Sequence, residues 1–432
     1  MGRIRILSTD IDNLSISDFL ASFEKLLTTH GSHQIATVNA EFLATTQRDA
    51  EFRSMLRKTA LNLADGIGVL WAAKFFSIKV YRIPGLVWAQ TIFQIISIGF
   101  LILFYPRYIR TVIAEKLSGS ELIWNIAEEL SRMGKTLFLL GGFGDTPRKV
   151  SDKLLEKYPK LKIVGYYTGG PDDPDSVRRV ALAHPDCLLV AYGQIVQEKW
   201  ISSNLQNLRV KVAIGVGGTF DYMAGIRPPA PKFLRYMGLE WAWRLFTQPH
   251  RLRRIVEAVI IFPSFCARYK VQLTKPYRQN IVACIVNDDG KVLTCKRHFT
   301  DAAHPLHAEP VWQLPQGGLE AGESYEQGMT REILEETGIL NAKIKGVLPR
   351  VFRYDFPPEI VYTANGGKFR GQEQSIVYLR VPNEARVVLD NREFVDYRWI
   401  DKRDLLSTIH PVRHGLIKIV QDNFDTYITS KK

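Results

Sequence analysis

Two α/β domains in series are predicted, on three observations. Strand, turn and helix patterns alternate from Ile35 to Val216; a fresh run of strands starts beyond Lys275-Pro276; and 432 residues exceed one ordinary domain. Alternation at this spacing implies a largely parallel sheet in the first domain. With 46% hydrophobic and 23% charged residues the chain is globular, not disordered. The domains are expected at 1–274 and 275–432, each long enough to bury its own core.

The elements follow in order. Ile35–Val38 reads as a strand and Asp49–Leu63 as a helix. Asp65-Gly66 follows the mostly apolar Leu61–Ala64, so its carboxylate falls at the end of an element, where α/β enzymes place ligand-binding groups. Thr136–Leu140 is a strand running into Gly141-Gly142, followed by a helix over Pro147–Tyr158. Leu161–Tyr167, Cys187–Tyr192 and Val210–Val216 read as further buried strands. The Asp10 to Asp12 and Asp172-Asp173 pairs read as solvated turns. After the boundary, Asn280–Val286 and Lys291–Cys295 form a hairpin about Asp288-Asp289-Gly290.

One segment breaks the rhythm. Val87 to Tyr105 holds no charged residue, and Arg82, Arg107 and Arg110 flank it. Its length approaches the ~20 residues of a bilayer span. Gln90, Gln94 and Ser97 share one helical face, however, which suits a helix in the membrane interface or one packing its polar stripe on protein. A buried core helix is the alternative. From Gln248 on, Arg251, Arg253 and Arg254 precede the apolar Ile255–Phe262, a pattern that fits an anionic membrane surface or a solvated covering helix.

The net charge of +13 favours anionic partners without choosing among phosphorylated ligands, acidic membranes and nucleic acid. No aromatic-rich RNA-recognition motif is present. Cys187, Cys266, Cys284 and Cys295 lack zinc-site spacing and are expected as buried thiols in a reducing compartment. The N-terminus does not read as a secretory leader, and Ile6 argues against myristoylation at Gly2.

The chemistry is clearest near the C-terminus. Gly317, Glu323, Arg331, Glu332, Glu335, Glu336, Gly338 and Ile339 occupy every fixed position of a Nudix box. Glu332, Glu335 and Glu336 fall at i, i+3 and i+4 on one helix face. Clustered carboxylates repel unless a cation sits among them, and oxygen-only donors select Mg²⁺ or Mn²⁺. Ser324 with Gln327 predicts a capping box. The intact carboxylate set argues against a domain that only senses nucleotides. Tyr277-Arg278, Trp312-Gln313, Pro315-Gln316, Arg353-Tyr354-Asp355, Gly371-Gln372 and Glu393-Phe394 resemble the RNA pyrophosphohydrolase and diadenosine polyphosphate hydrolase branch of the Nudix family. That resemblance implies an α/β/α sandwich that hydrolyses a diphosphate linkage. Glu332, Glu335, Glu336 and Glu393 would serve the metal and the catalysis, with Glu373 as second candidate for the added carboxylate. A capped or triphosphate RNA end, a dinucleoside polyphosphate or a nucleotide sugar are the implied substrates.

The first domain resembles the WecG/TagA/CpsF glycosyltransferases, family 26. The resemblance rests on Thr37-Val38-Asn39, Ala64-Asp65-Gly66, Leu117-Ser118-Gly119-Ser120, Gly141-Gly142, Gln197-Glu198, Gly217-Gly218-Thr219-Phe220-Asp221 and Glu240-Trp241 with Arg244 and Arg251. It implies a Rossmann-like fold that transfers an N-acetylhexosamine, often N-acetylmannosamine, from a UDP-sugar to a polyprenyl-diphosphate-linked acceptor, without a metal. Asp65 matches the general base. Thr37, Asn39, Gly141, Gly142, Gln197 and Glu198 match substrate-binding positions, and Arg244, Arg251 and Arg254 would neutralise the diphosphate. Residues 85–106 look inserted, and 235–270 form a basic end to the domain. Such an enzyme is expected in the cytoplasm, peripheral at the inner face of the membrane.

Overall fold

The computed structural model describes residues 2–113, 115–226, 230–231, 233–234, 237, 239–297, 311–389 and 392–429. It forms two compact units, Met1–Val271 and Gln272–Lys432, each built on its own sheet.

Among the described residues, the first unit has eight strands: β1 (Arg3–Ile6), β2 (Thr9–Asp12), β3 (His33–Val38), β4 (Leu61–Ala64), β5 (Thr136–Gly141), β6 (Lys162–Tyr167), β7 (Cys187–Ala191) and β8 (Val212–Gly215). Their order is β1-β2-β4-β3-β8-β7-β5-β6. All neighbours are parallel except β1 with β2. Successive strand residues feed opposite cores, as the two-residue strand period requires. Leu137 and Leu139 pack with the helices Ile16–Thr28, Gly119–Met133 and Thr146–Lys157. Phe138 and Leu140 pack with Pro174–Ala183 and Val196–Asn204 on the other side. Covered on both faces, the central strands read as continuous apolar runs. The sheet grows to one side of β3 through β4 and to the other through β8, β7 and β5. The crevice at their C-terminal ends is therefore the topological switch point.

Three expectations need correction. Asp49–Leu63 is not one helix. Asp49 caps a helix over Ala50–Lys58, and Leu61–Ala64 is the parallel strand β4, whose Asn62 and Leu63 are buried. β6 is not buried but alternates exposed and half-buried residues, because it is the edge strand. Asp12 lies in β2, where its carboxylate accepts from Arg3 Nε at 2.9 Å and Asn62 N at 2.8 Å. Asp173 caps the helix Pro174–Ala183 and accepts from the Tyr167 hydroxyl at 2.7 Å.

The apolar segment is a helix over Val87–Phe104, and it is not a core helix: only 11% of it is buried. Its polar stripe faces protein. Gln90 bonds both backbone groups of Tyr81, each at 3.1 Å, and Gln94 Nε2 donates to Lys79 O at 2.9 Å.

The second unit carries β9 (Tyr277–Val286), β10 (Val292–Arg297), β11 (Val311–Gln313), β12 (Gln316–Gly318), β13 (Lys343–Asp355), β14 (Gly371–Arg380) and β15 (Phe394–Ile400). β9 and β14 are parallel, and the remaining pairs are antiparallel. Helix Tyr325–Thr337 packs through Met329 and Ile333 on one face of this sheet, and helix His414–Phe424 through Leu416, Ile417 and Val420 on the other. The result is an α/β/α sandwich. All four cysteines are buried free thiols.

Candidate active sites

In the first unit a cavity of about 570 Å³ opens at the switch point. Glycine turns contribute to its lining. Gly141 ends β5 and Gly142 follows it, Gly193 follows β7 and Gly217 follows β8, all with positive φ. A Cβ on Gly141 would meet Tyr192 and the backbone of Ala191, so this turn requires glycine. Ile195 adopts φ 71°, ψ −51° at the start of helix Val196–Asn204. A β-branched residue there carries about 1–3 kcal/mol of strain, of the kind that collects at functional sites.

Asp65 follows β4. Its amide donates to Val38 O at 2.7 Å, and Gly66 at φ 95° starts the next helix. Thr37, at the end of β3, donates to Gly215 O at 3.2 Å. Gln197 anchors the β8 turn by accepting from Gly217 N at 2.9 Å. Arg254 bonds Glu41 at 2.8 Å and also Gln194. Asp65, Thr37, Gly142, Gln197, Arg251 and Arg254 all line the cavity.

The other predicted residues stand elsewhere. Asn39 caps the helix Ala40–Thr45, accepting from Phe42 N at 3.1 Å. Gly141 lies behind Gly142 as part of the turn. Glu198 is fully buried beneath the cavity, where its carboxylate accepts from Ile195 N at 3.0 Å and Gln197 Nε2 at 2.9 Å. Burial raises its pKa to about 7. The Arg244 side chain lies outside the described residues. Sequence reasoning did not single out Lys116, Tyr192, Gln194 or Tyr222, which also line the cavity, nor assign a role to Asp221 and Glu240. Lys116 stands 3.8 Å from Glu240. The glycine-serine turn that follows Lys116 was the available signal.

The second unit has a smaller cleft of about 290 Å³ lined by β12, by Arg278 and Asn280 of β9 and by helix Tyr325–Thr337. Ser324 caps that helix, and the box with Gln327 closes in both directions, at 3.2 and 3.0 Å. Arg331 organises the loop. It donates to both oxygens of Glu323, at 2.8 and 2.9 Å, and to Gly318 O at 3.0 Å. That pairing lowers the Glu323 pKa to about 2. A Cβ on Gly317 would collide with the Glu332 carboxylate, and one on Gly318 with the Arg278 guanidinium. Glycine at both positions lets acid and base reach the same cleft.

Glu332, Glu335, Glu336 and Glu393 line this cleft together. Glu336 accepts from Gln316 N at 3.1 Å, and Glu393 pairs with Arg297 at 3.1 Å. Burial, then the charges of Glu393 and Glu332, push Glu336 up to about 9. Carboxylates that repel in a partly dry pocket fit a bound divalent cation, and an all-oxygen donor set suits a hard one. Among the described residues no three acidic, His or Cys side chains already converge on one point, and Arg331 holds Glu332 at 2.9 Å and Glu335 at 3.4 Å. Glu373 stands apart on β14, held by Gln279 at 2.6 Å and by Arg353. Arg297, Asn280 and Gln316 join the lining without having been predicted for it.

Comparison with known proteins gives a family match in each unit. The glycosyl transferase WecG/TagA/CpsF family matches residues 4–97 and 94–276, in two pieces that break inside helix Val87–Phe104. The NUDIX domain family, whose hydrolases use a divalent cation, matches 276–422. An RNA pyrophosphohydrolase of Cereibacter sphaeroides is 32% identical over 36% of this chain and 95% of its own. Nudix hydrolase 25 of Arabidopsis thaliana is 33% identical over 35% and 88%. An N-acetylglucosaminyldiphosphoundecaprenol N-acetyl-β-D-mannosaminyltransferase of Bacillus subtilis is 26% identical over 56% and 84%.

Proposed function

The chain belongs to the WecG/TagA/CpsF glycosyltransferase family and carries a Nudix hydrolase domain, and from that premise we propose the substrates and residue roles of a bifunctional enzyme. The first unit transfers an N-acetylhexosamine, N-acetylmannosamine foremost, from a UDP-sugar to a polyprenyl-diphosphate-linked acceptor. It works in the cytoplasm, peripheral at the inner membrane face. The observation that supports this best is the switch-point cavity, whose lining brings together Asp65, Arg251, Arg254 and the glycine turns. Asp65 takes the proton of the acceptor hydroxyl as that oxygen attacks the sugar C1. The diphosphate leaves from the opposite face, and Arg251, Arg254 and the amides of the glycine turns stabilise its developing charge. Thr37 and Gln197 hold the sugar side, with Asn39 and Glu198 fixing the backbone around them. No metal is required in this scheme.

The second unit hydrolyses a nucleoside-diphosphate linkage, with the 5′-triphosphate end of RNA as first candidate and dinucleoside polyphosphates or nucleotide sugars next. Glu332, Glu335, Glu336 and Glu393 would hold the cation, Mg²⁺ or Mn²⁺, which when bound polarises phosphoryl oxygens and acidifies the attacking water. Arg278 and Arg297 orient the phosphates. Glu393 accepts the water proton, on the edge of the cleft where Arg297 steadies it.

A product assay tests both readings on the full chain. UDP-N-acetylmannosamine with a lipid-diphosphate acceptor should yield the extended lipid and UDP. Triphosphate RNA with Mg²⁺ should yield pyrophosphate or phosphate and monophosphate RNA. Transfer with every UDP-hexosamine absent, or cleavage confined to UDP-sugars, would replace the corresponding assignment.

A further inference from the structure

We propose that the outer face of helix Val87–Phe104 rests in the plane of an anionic lipid surface, as an anchor that does not cross it. Trp88, Ile92, Ile96, Phe100 and Phe104 recur every four residues along that face, with Phe93 beside them, and all are at least half exposed. An apolar stripe of this extent is costly in water and marks a surface meant to be covered.

The helix is long enough to be mistaken for a span, at 18 residues. Its surroundings forbid crossing. Gln90 and Gln94 are bonded to the strap at Tyr81 and Lys79, and Lys270 Nζ donates to Gln94 Oε1 at 2.6 Å. Beyond its C-terminal end, Thr111 bonds Lys74 at 2.9 Å, and Lys74 lies 4.2 Å from the Tyr108 ring. Thr91 and Ile98 on the inner face are buried, and Ile98 shares a core with Ile109, Phe262 and Cys266. Both ends are thus held to one body, on one side of any membrane. A helix so held, apolar outside and polar inside, lies along an interface.

Charge chooses the occupant. Gly66 to Ala114 contains Lys74, Lys79, Arg82, Arg107 and Arg110 and no Asp or Glu. Arg82, Arg107 and Arg110 are exposed at the two ends of the helix. A second copy would bring the same positive face and be repelled, whereas anionic headgroups complement it. The segment departs after Asp65 and returns just before Lys116 and Ser118, all three of which line the transferase cavity. The anchor therefore holds the cavity rim at the lipid. Only this last consequence rests on the lipid-linked acceptor proposed above.

The test is sedimentation of the full chain with vesicles of phosphatidylglycerol and phosphatidylethanolamine. The parent protein should bind them, and bind pure phosphatidylcholine vesicles at least severalfold less. Joint Phe93→Ser, Ile96→Ser and Phe100→Ser should weaken binding more than tenfold while Nudix hydrolysis persists. Joint Arg82→Ala, Arg107→Ala and Arg110→Ala should weaken it less and reduce its salt dependence, and this variant carries the test if the first fails to fold. Trp88 emission, isolated by difference from Trp88→Phe, should be quenched more by lipids brominated near the headgroup than near the chain ends. Unchanged sedimentation of both variants, strongest quenching at the bilayer centre, or a dimer in light scattering that the serine variant dissolves would each overturn the proposal. Transfer to a short-chain, water-soluble acceptor should survive in the serine variant. Its absence from the parent protein would count against the transferase assignment and leave the anchor standing.

Discussion

The cleft of the first unit contains its own countercharges, whereas that of the second concentrates acid. Around Asp65, Asp221 and Glu240 stand Lys116, Arg251 and Arg254, with glycine turns offering backbone amides. Around Glu332, Glu335, Glu336 and Glu393 stand Arg278 and Arg297, and the burial of Glu336 makes the excess negative charge expensive. On the proposed reading both sites handle diphosphates. On that reading the balanced first cleft stabilises a departing diphosphate with protein groups, while the acid excess of the second calls for an imported cation.

Substitution should separate the two sharply. Glu335→Gln is expected to cut Nudix hydrolysis on the order of 10³-fold, several kcal/mol of lost transition-state stabilisation, with transfer unchanged. Steady-state assays of both reactions on one preparation check this, and equal losses in both would erase the comparison. Asp65→Asn should lower kcat for transfer by about 10²–10⁴-fold and leave the KM for the UDP-sugar within a few-fold, since a base acts in the transition state. A large rise in KM with kcat intact would instead make Asp65 a binding residue.

A smaller effect comes from beneath the first cleft. Glu198 has its folded pKa raised by burial to about 7, above the ordinary 4.5. Below 4.5 both folded and unfolded chains hold the proton, so no penalty exists. As pH rises from there to about 7 the unfolded chain releases it first, and stability falls, by about 3 kcal/mol in all. Urea melts of parent and Glu198→Gln between pH 4 and 8 should show the loss only in the parent. Parallel curves would place the proton elsewhere. The smallest effect belongs to the second unit: Ser324→Ala removes one half of the capping box and should cost about 1 kcal/mol of stability there, with cleavage rates per folded molecule nearly unchanged.

The contrast also governs what the sequence made legible. The Nudix cleft was readable because three of its four carboxylates share one helix, where the i, i+3, i+4 spacing places Glu332, Glu335 and Glu336 by geometry alone. The transferase cleft is assembled from the ends of β3, β4, β5, β7 and β8 and from the segment around Arg251. Asp65 or Gly142 alone is indistinguishable from a turn residue, and only their joint order pointed to a site. Glu198 illustrates the limit. The family resemblance implied a substrate contact there, but a Cβ on Gly215 would meet its carboxylate, so the residue is packed under the strand end rather than aimed into the cavity. Lys116 escaped notice because a lone lysine has no period. The Leu61–Ala64 strand was absorbed into a helix pattern because a four-residue apolar run carries no periodicity of its own. The helix Val87–Phe104 was legible as apolar, but which of its faces is covered depends on Lys79, Tyr81 and Lys270, which contact it from elsewhere in the chain.

The most direct test of the central contrast is chelation of the full-length enzyme with both activities followed in the same preparation. Titration with EDTA should abolish diphosphate hydrolysis, with recovery on adding Mg²⁺, while sugar transfer changes by less than about twofold, because on the proposed reading only the acidic cleft needs an imported cation. Loss of both activities together, or hydrolysis that survives exhaustive chelation, would contradict the account.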